Sequence, residues 1–95
     1  MGSVGAKISG KMSPSKIDKV PFTNMGGGQW EVDIEGVGGG SILEVSESWK
    51  YGPGKAYEVH IWNDGYNTVD NGVYYATLNA AKSAIKDRLK EMYAQ

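Results

Sequence analysis

Trp30-Glu31-Val32-Asp33-Ile34-Glu35 alternates strictly between an apolar or aromatic side chain and an acidic one. Successive side chains of a strand point to opposite faces, so this stretch offers one face to a core and lines the other with three carboxylates. It is read as a half-buried strand. Such a strand needs antiparallel neighbours along its edges and a second layer over its apolar face. The sequence outward from it supplies candidates for both.

Downstream, Gly36 through Gly40 read as a flexible hairpin loop. Ser41 to Trp49 follows as a second strand, with Leu43 and Val45 on one face and Ile42, Glu44 and Ser46 on the other. Tyr51-Gly52-Pro53-Gly54 is a turn by composition. Tyr57-Glu58-Val59-His60-Ile61-Trp62 alternates again and is the third strand. Asn63-Asp64-Gly65 and Asp70-Asn71-Gly72 are turn signals. Tyr66 to Val69 and Val73 to Ala76 supply short pieces of a fourth strand. Thr77 then caps a helix in which Leu78, Ala81, Ile85, Leu89 and Met92 recur at helical spacing. The expected fold is α+β: an antiparallel three- to four-stranded sheet covered on one face by a C-terminal amphipathic helix. Trp30, Val32, Ile34, Leu43, Val45, Tyr57, Val59 and Ile61 are expected beneath the helix.

Upstream, Gly26-Gly27-Gly28 is expected to separate a flexible or loosely packed N-terminal segment, residues 1–25, from an α+β domain, residues 26–95. Within the first segment a short helical turn starts after Pro14, with Ser13 as its cap and Ile17 and Val20 inward. Ninety-five residues make one domain, and 40% hydrophobic with 22% charged residues is ordinary globular usage. The absence of Cys excludes disulfides and thiolate metal sites, and makes the cytoplasm the expected compartment. No run is long and apolar enough for a membrane span, and the first 25 residues lack the apolar core of a signal peptide.

Several catalytic and ligand motifs fail on spacing. A phosphate-binding loop needs Ser or Thr after Gly-Lys, and Gly54-Lys55 is followed by Ala56. A calcium loop opened at Asn67 would place Val69 and Leu78 at ligand positions. His60 is the single histidine, which with no Cys argues against zinc. A catalytic triad built on it would need a nucleophile and a pocket that an open sheet face does not offer. The chain is therefore expected to be no enzyme and to carry no cofactor.

Charge is segregated along the chain. Residues 1–29 sum to +3, residues 30–76 to −6 and residues 77–95 to +2, within a net charge of −1. The expected partner-binding site is the acidic sheet face, formed by Glu31, Asp33, Glu44, Glu58, His60 and Trp62. An alternative is a nucleic-acid-binding surface on Lys82, Lys86 and Lys90, which line up at i, i+4 and i+8 on the outer helix face. Ala80-Ala81-Lys82-Ser83-Ala84-Ile85-Lys86 resembles the last helix of a double-stranded-RNA-binding domain. Gly72-Val73-Tyr74-Tyr75-Ala76 stands where such domains carry a Gly-rich, double-Lys entry.

The start Met1-Gly2-Ser3-Val4-Gly5-Ala6, the small size, the absence of Cys and the Gly-rich strands resemble small accessory and anti-defence proteins encoded by bacteriophages, the anti-CRISPR type among them. The resemblance implies a non-enzymatic inhibitor in the bacterial host cytoplasm. It would bind the basic nucleic-acid channel of a defence nuclease complex, with direct nucleic-acid binding not expected. A phage structural or assembly protein is the further alternative, with homodimer formation through sheet edges as one arrangement.

Overall fold

A computed structural model describes residues 6–7, 15–48 and 52–94. Its elements are β1 (Ala6–Lys7), α1 (Ser15–Asp18), β2 (Thr23–Gly26), β3 (Gln29–Glu35), β4 (Gly38–Ser48), β5 (Gly52–Asn63), β6 (Thr68–Tyr75) and α2 (Leu78–Ala94). The fold is α+β. Strands β2, β3, β4, β5 and β6 pair antiparallel in that order, and α2 packs across β4 and β5. The two-residue β1 runs parallel to the end of β3, placing Ala6 opposite Ile34. The sheet thus has more strands than expected. Among the described residues no helix is long and apolar enough to cross a membrane.

Helix α2 forms where its sequence says it should. Thr77 Oγ1 accepts a hydrogen bond from the Ala80 amide at 3.1 Å, satisfying one of the unpaired donors of the first turn. Ala81, Ile85 and Leu89 are fully buried, and Leu78 and Met92 extend the stripe at either end. Beneath them lie Val32 and Ile34 of β3, Ile42 of β4, and Val59 and Ile61 of β5.

Strand β4 departs from the sequence reading. Gly38, Gly39 and Gly40 are buried strand residues, not loop, and the β3–β4 turn is made by Gly36 and Val37. The register pairs Trp30 with Ile42 and Val32 with Gly40, so even-numbered β4 residues face the helix. Ile42 is completely buried, whereas Leu43 is 42% exposed on the opposite face. The expected orientation of Leu43 and Val45 is therefore inverted. Gly40 explains why α2 sits so close: a Cβ there would stand 2.9 Å from Ile85 Cγ2.

The N-terminal boundary also moves. The expected division between residues 25 and 26 falls inside β2, which pairs with β3, and Ile17 of α1 is fully buried in the core. The expected cap Ser13 lies outside the described residues. So does Tyr51, which opens the expected turn, and Gly52 to Gly54 already belong to β5. Asp70-Asn71-Gly72 is not a turn. It lies within β6, where the pairing with β5 shifts register and Gly72 takes a φ of 77°.

Candidate partner-binding face

The face of the sheet away from α2 follows from the pairing register. Three rows of side chains cross it from β3 to β6. The first is Asp33, Gly39, Trp62 and Thr68; the second is Glu31, Ser41, His60 and Asn71; the third is Gln29, Leu43, Glu58 and Tyr74. Neighbours within a row are close enough to interact, about 4.5–5.5 Å apart at Cβ. The register brings Glu31, Asp33, Glu58, His60 and Trp62 onto one surface, as expected. Ser41, Leu43, Asn71 and Tyr74 join them, and sequence reading did not include these four.

Glu44 does not belong to this face. It is paired opposite Tyr57, on the side of Ile42, and its carboxylate meets Lys55 at 3.2 Å. The inverted phase of β4 is the physical reason. Tyr66 stands apart in the β5–β6 turn with a φ of 61°, and Tyr75 packs toward the core.

Gly39 shapes the centre of the face. A Cβ at this position would lie 2.6 Å from the Val32 carbonyl oxygen and 2.7 Å from Trp62 Nε1. The indole of Trp62 therefore lies flat across β4, in space that only glycine leaves open. Its Nε1–H is buried and has no hydrogen-bond partner among the described residues. Asp33 comes next along the same row, beyond Gly39.

The charges divide into two groups. His60 Nε2 and a Glu58 carboxylate oxygen meet at 3.0 Å along β5. Glu31 and Asp33 form no ion pair with any described residue, whereas Glu35 stands opposite Lys7 of β1 in the strand register. The described positions of this face on β3 to β6 include no Lys or Arg. The face thus combines unpaired carboxylates along β3, a low floor of Gly39 and Ser41, and apolar surface from Trp62 and Leu43.

The alternative surface on α2 turns out differently. Lys86 is buried, not solvated. Its Nζ donates to the carbonyls of Ile17 at 2.8 Å, Asp18 at 3.0 Å and Val20 at 2.6 Å, using all three ammonium donors on the C-terminal end of α1. Burial lowers its pKa below the ordinary lysine value. Asp18 opposes that shift, and the charges of Lys90 and Lys82 add to it. Lys90 pairs with Asp18 at 2.9 Å, and this hydrogen bond raises its pKa. The ammonium groups of Lys82 and Lys86 both lie over the Phe22 ring, at 5.7 and 5.4 Å from its centre. Of the three lysines, only Lys82 has its ammonium free of hydrogen bonds and ion pairs with described residues. Compared with known proteins, the chain matches no family model, and no curated protein or solved structure matches it.

Proposed function

We propose that the protein is a non-enzymatic binding module that docks a cationic protein surface onto the open face of its sheet. The supporting observation is the three-row grid. Glu31 and Asp33 stand without an ion pair to any described residue along β3, beside the Trp62 ring that rests over Gly39, with Leu43 exposed two rows away. Protein-binding patches combine an aromatic or aliphatic centre with a polar rim in this way. Carboxylates not engaged in ion pairs, as Glu31 and Asp33 are, favour partners that present Lys or Arg, through charge-assisted hydrogen bonds and electrostatic steering.

On this reading the partner is a surface built to hold nucleic acid, such as the basic channel of a bacterial defence nuclease complex. The protein then acts as an inhibitor in the host cytoplasm, because carboxylates spaced along a strand occupy sites meant for phosphates. Nucleic acid itself is disfavoured as a ligand: it needs a basic footprint, and Lys86 and Lys90 are already engaged with α1.

The test is a binding titration against an oligoarginine peptide and against a purified defence nuclease complex. Glu31→Lys with Asp33→Lys should weaken binding more than about tenfold, roughly 1.4 kcal/mol, with the circular dichroism spectrum unchanged. Lys82→Glu should leave affinity within about twofold, and raising the salt should weaken the wild-type complex. Unchanged affinity in the carboxylate reversal would overturn the proposal.

A further inference from the structure

The layer opposite the acidic face carries the complementary charge. Lys16 and Lys19 are exposed on and just after α1, and Lys82 projects from the first turns of α2 toward Phe22. None of the three forms an ion pair with a described residue. Lys19, Phe22, Lys82 and Ser83 line one cleft of about 470 Å³ between the two helices. The other helix-side cations are committed: Lys90 to Asp18, Arg88 to Asp70 and Glu91, and Lys86 to the carbonyls of α1. Among the described residues, Glu31 and Asp33 thus stand without an ion pair on one side of the sheet, and Lys16, Lys19 and Lys82 stand without one on and beside the helices covering the other.

From this complementarity we infer that the open face also takes a second copy of this chain, head to tail, with the Lys16, Lys19 and Lys82 surface of one copy on Glu31 and Asp33 of the next. A face-to-face dimer through the acidic surface would set like charges against each other and is disfavoured. A heterologous contact uses two different patches, so a pair of copies keeps one free patch of each sign and the assembly does not stop at two. Self-association rests on the proposed docking role of the open face and regulates it: copies stacked at high concentration hide the surface that an external cationic partner needs.

Sedimentation equilibrium of the full chain tests the contact. At about 10 mM ionic strength, where charges act over about 30 Å, the average mass should rise with concentration past twice the monomer value. At about 1 M, where they act over about 3 Å, it should return to the monomer. Glu31→Gln with Asp33→Asn should be monomeric alone, and so should Lys19→Gln with Lys82→Gln. Mixed one to one, these two variants should form a heterodimer and stop there, since each keeps one intact patch. Thermal melts of both variants check that they fold. A wild type that stays monomeric at low salt, a wild type that stops at a dimer, or a lysine variant that associates like wild type would each overturn the inference. Oligoarginine binding separates the two readings. If it depends on Glu31 and Asp33 while the wild type stays monomeric, docking survives and self-association falls.

Discussion

The two faces of the sheet are built from the same alternating strands and end in opposite chemistry. On the helix side, Val32, Ile34, Ile42, Val59 and Ile61 meet the stripe of α2 and exclude water. On the open side, the same three strands present Glu31, Asp33, Leu43, Glu58, His60 and Trp62. Two adjacent glycines in β4 mark the difference. Gly40 lets Ile85 approach the backbone, so the covered face packs tightly. Gly39 lets the Trp62 ring rest on β4, so the open face keeps an aromatic surface in the same row as Asp33. A single missing side chain on each side of one strand sets how closely the next layer can come.

The largest expected effect contrasts a leucine from each side. Leu89 is fully buried under the stripe, and Leu89→Ala should destabilise the fold by about 2–5 kcal/mol. Leu43→Ala, at a position 42% exposed on the open face, should cost less than about 1 kcal/mol. Denaturant titration measures both. Similar losses would mean that Leu43 is covered and that the two faces are not distinct.

How much of this was legible in the sequence depends on whether the signal was local. β3 and α2 could be read because every residue in them follows one period, and Thr77 announces the cap. Ile17 is inward, as its place after Pro14 implies. β4 is not legible in the same way because Gly38 to Gly40 carry no hydropathy, and Ile42-Leu43-Glu44-Val45 fits a strand in either phase. Only the pairing of Trp30 with Ile42 fixes it, and that moves Glu44 off the predicted site. The burial of Lys86 had no local signal at all. Its partners lie 66 to 69 residues away, and its i, i+4 spacing with Lys82 and Lys90 is also what a solvated face shows.

The paired glycines give the next prediction. Gly40→Ala drives a methyl group into Ile85, whose side-chain tips have some freedom, and should cost about 1–3 kcal/mol by overpacking. Gly39→Ala meets the Val32 carbonyl and the Trp62 ring and should cost a similar amount while lifting the indole off β4. With Trp30 and Trp49 replaced by Phe, Trp62 emission should shift to the red in Gly39→Ala and stay unchanged in Gly40→Ala. A red shift in both, or in neither, would mean that Trp62 does not rest on Gly39.

The smallest effect distinguishes two lysines of the same helix stripe. Lys86→Met keeps the aliphatic stem but takes the ammonium away from three carbonyls at and after the end of α1, of which Ile17 keeps only its bond from the Val20 amide, so it should cost about 1–3 kcal/mol. Lys82→Met removes only an ammonium from above Phe22 and should cost less than about 1 kcal/mol. The pH dependence has opposite signs at Lys86 and Lys90. The lowered pKa of Lys86 means that, just below 10.5, the unfolded chain holds more protons than the folded one, so this group makes stability rise with pH there. The raised pKa of Lys90 reverses the sign: its contribution is complete below 10.5 and is lost as pH climbs through the folded value. Denaturant titrations between about pH 8 and pH 10 should therefore show the rise in stability with pH reduced in Lys86→Met and unchanged in Lys90→Met, whose effect falls above that window. A Lys86→Met curve parallel to wild type would place this ammonium in solvent, and the anchoring of α1 by α2 would then have to be assigned to Ile17 alone.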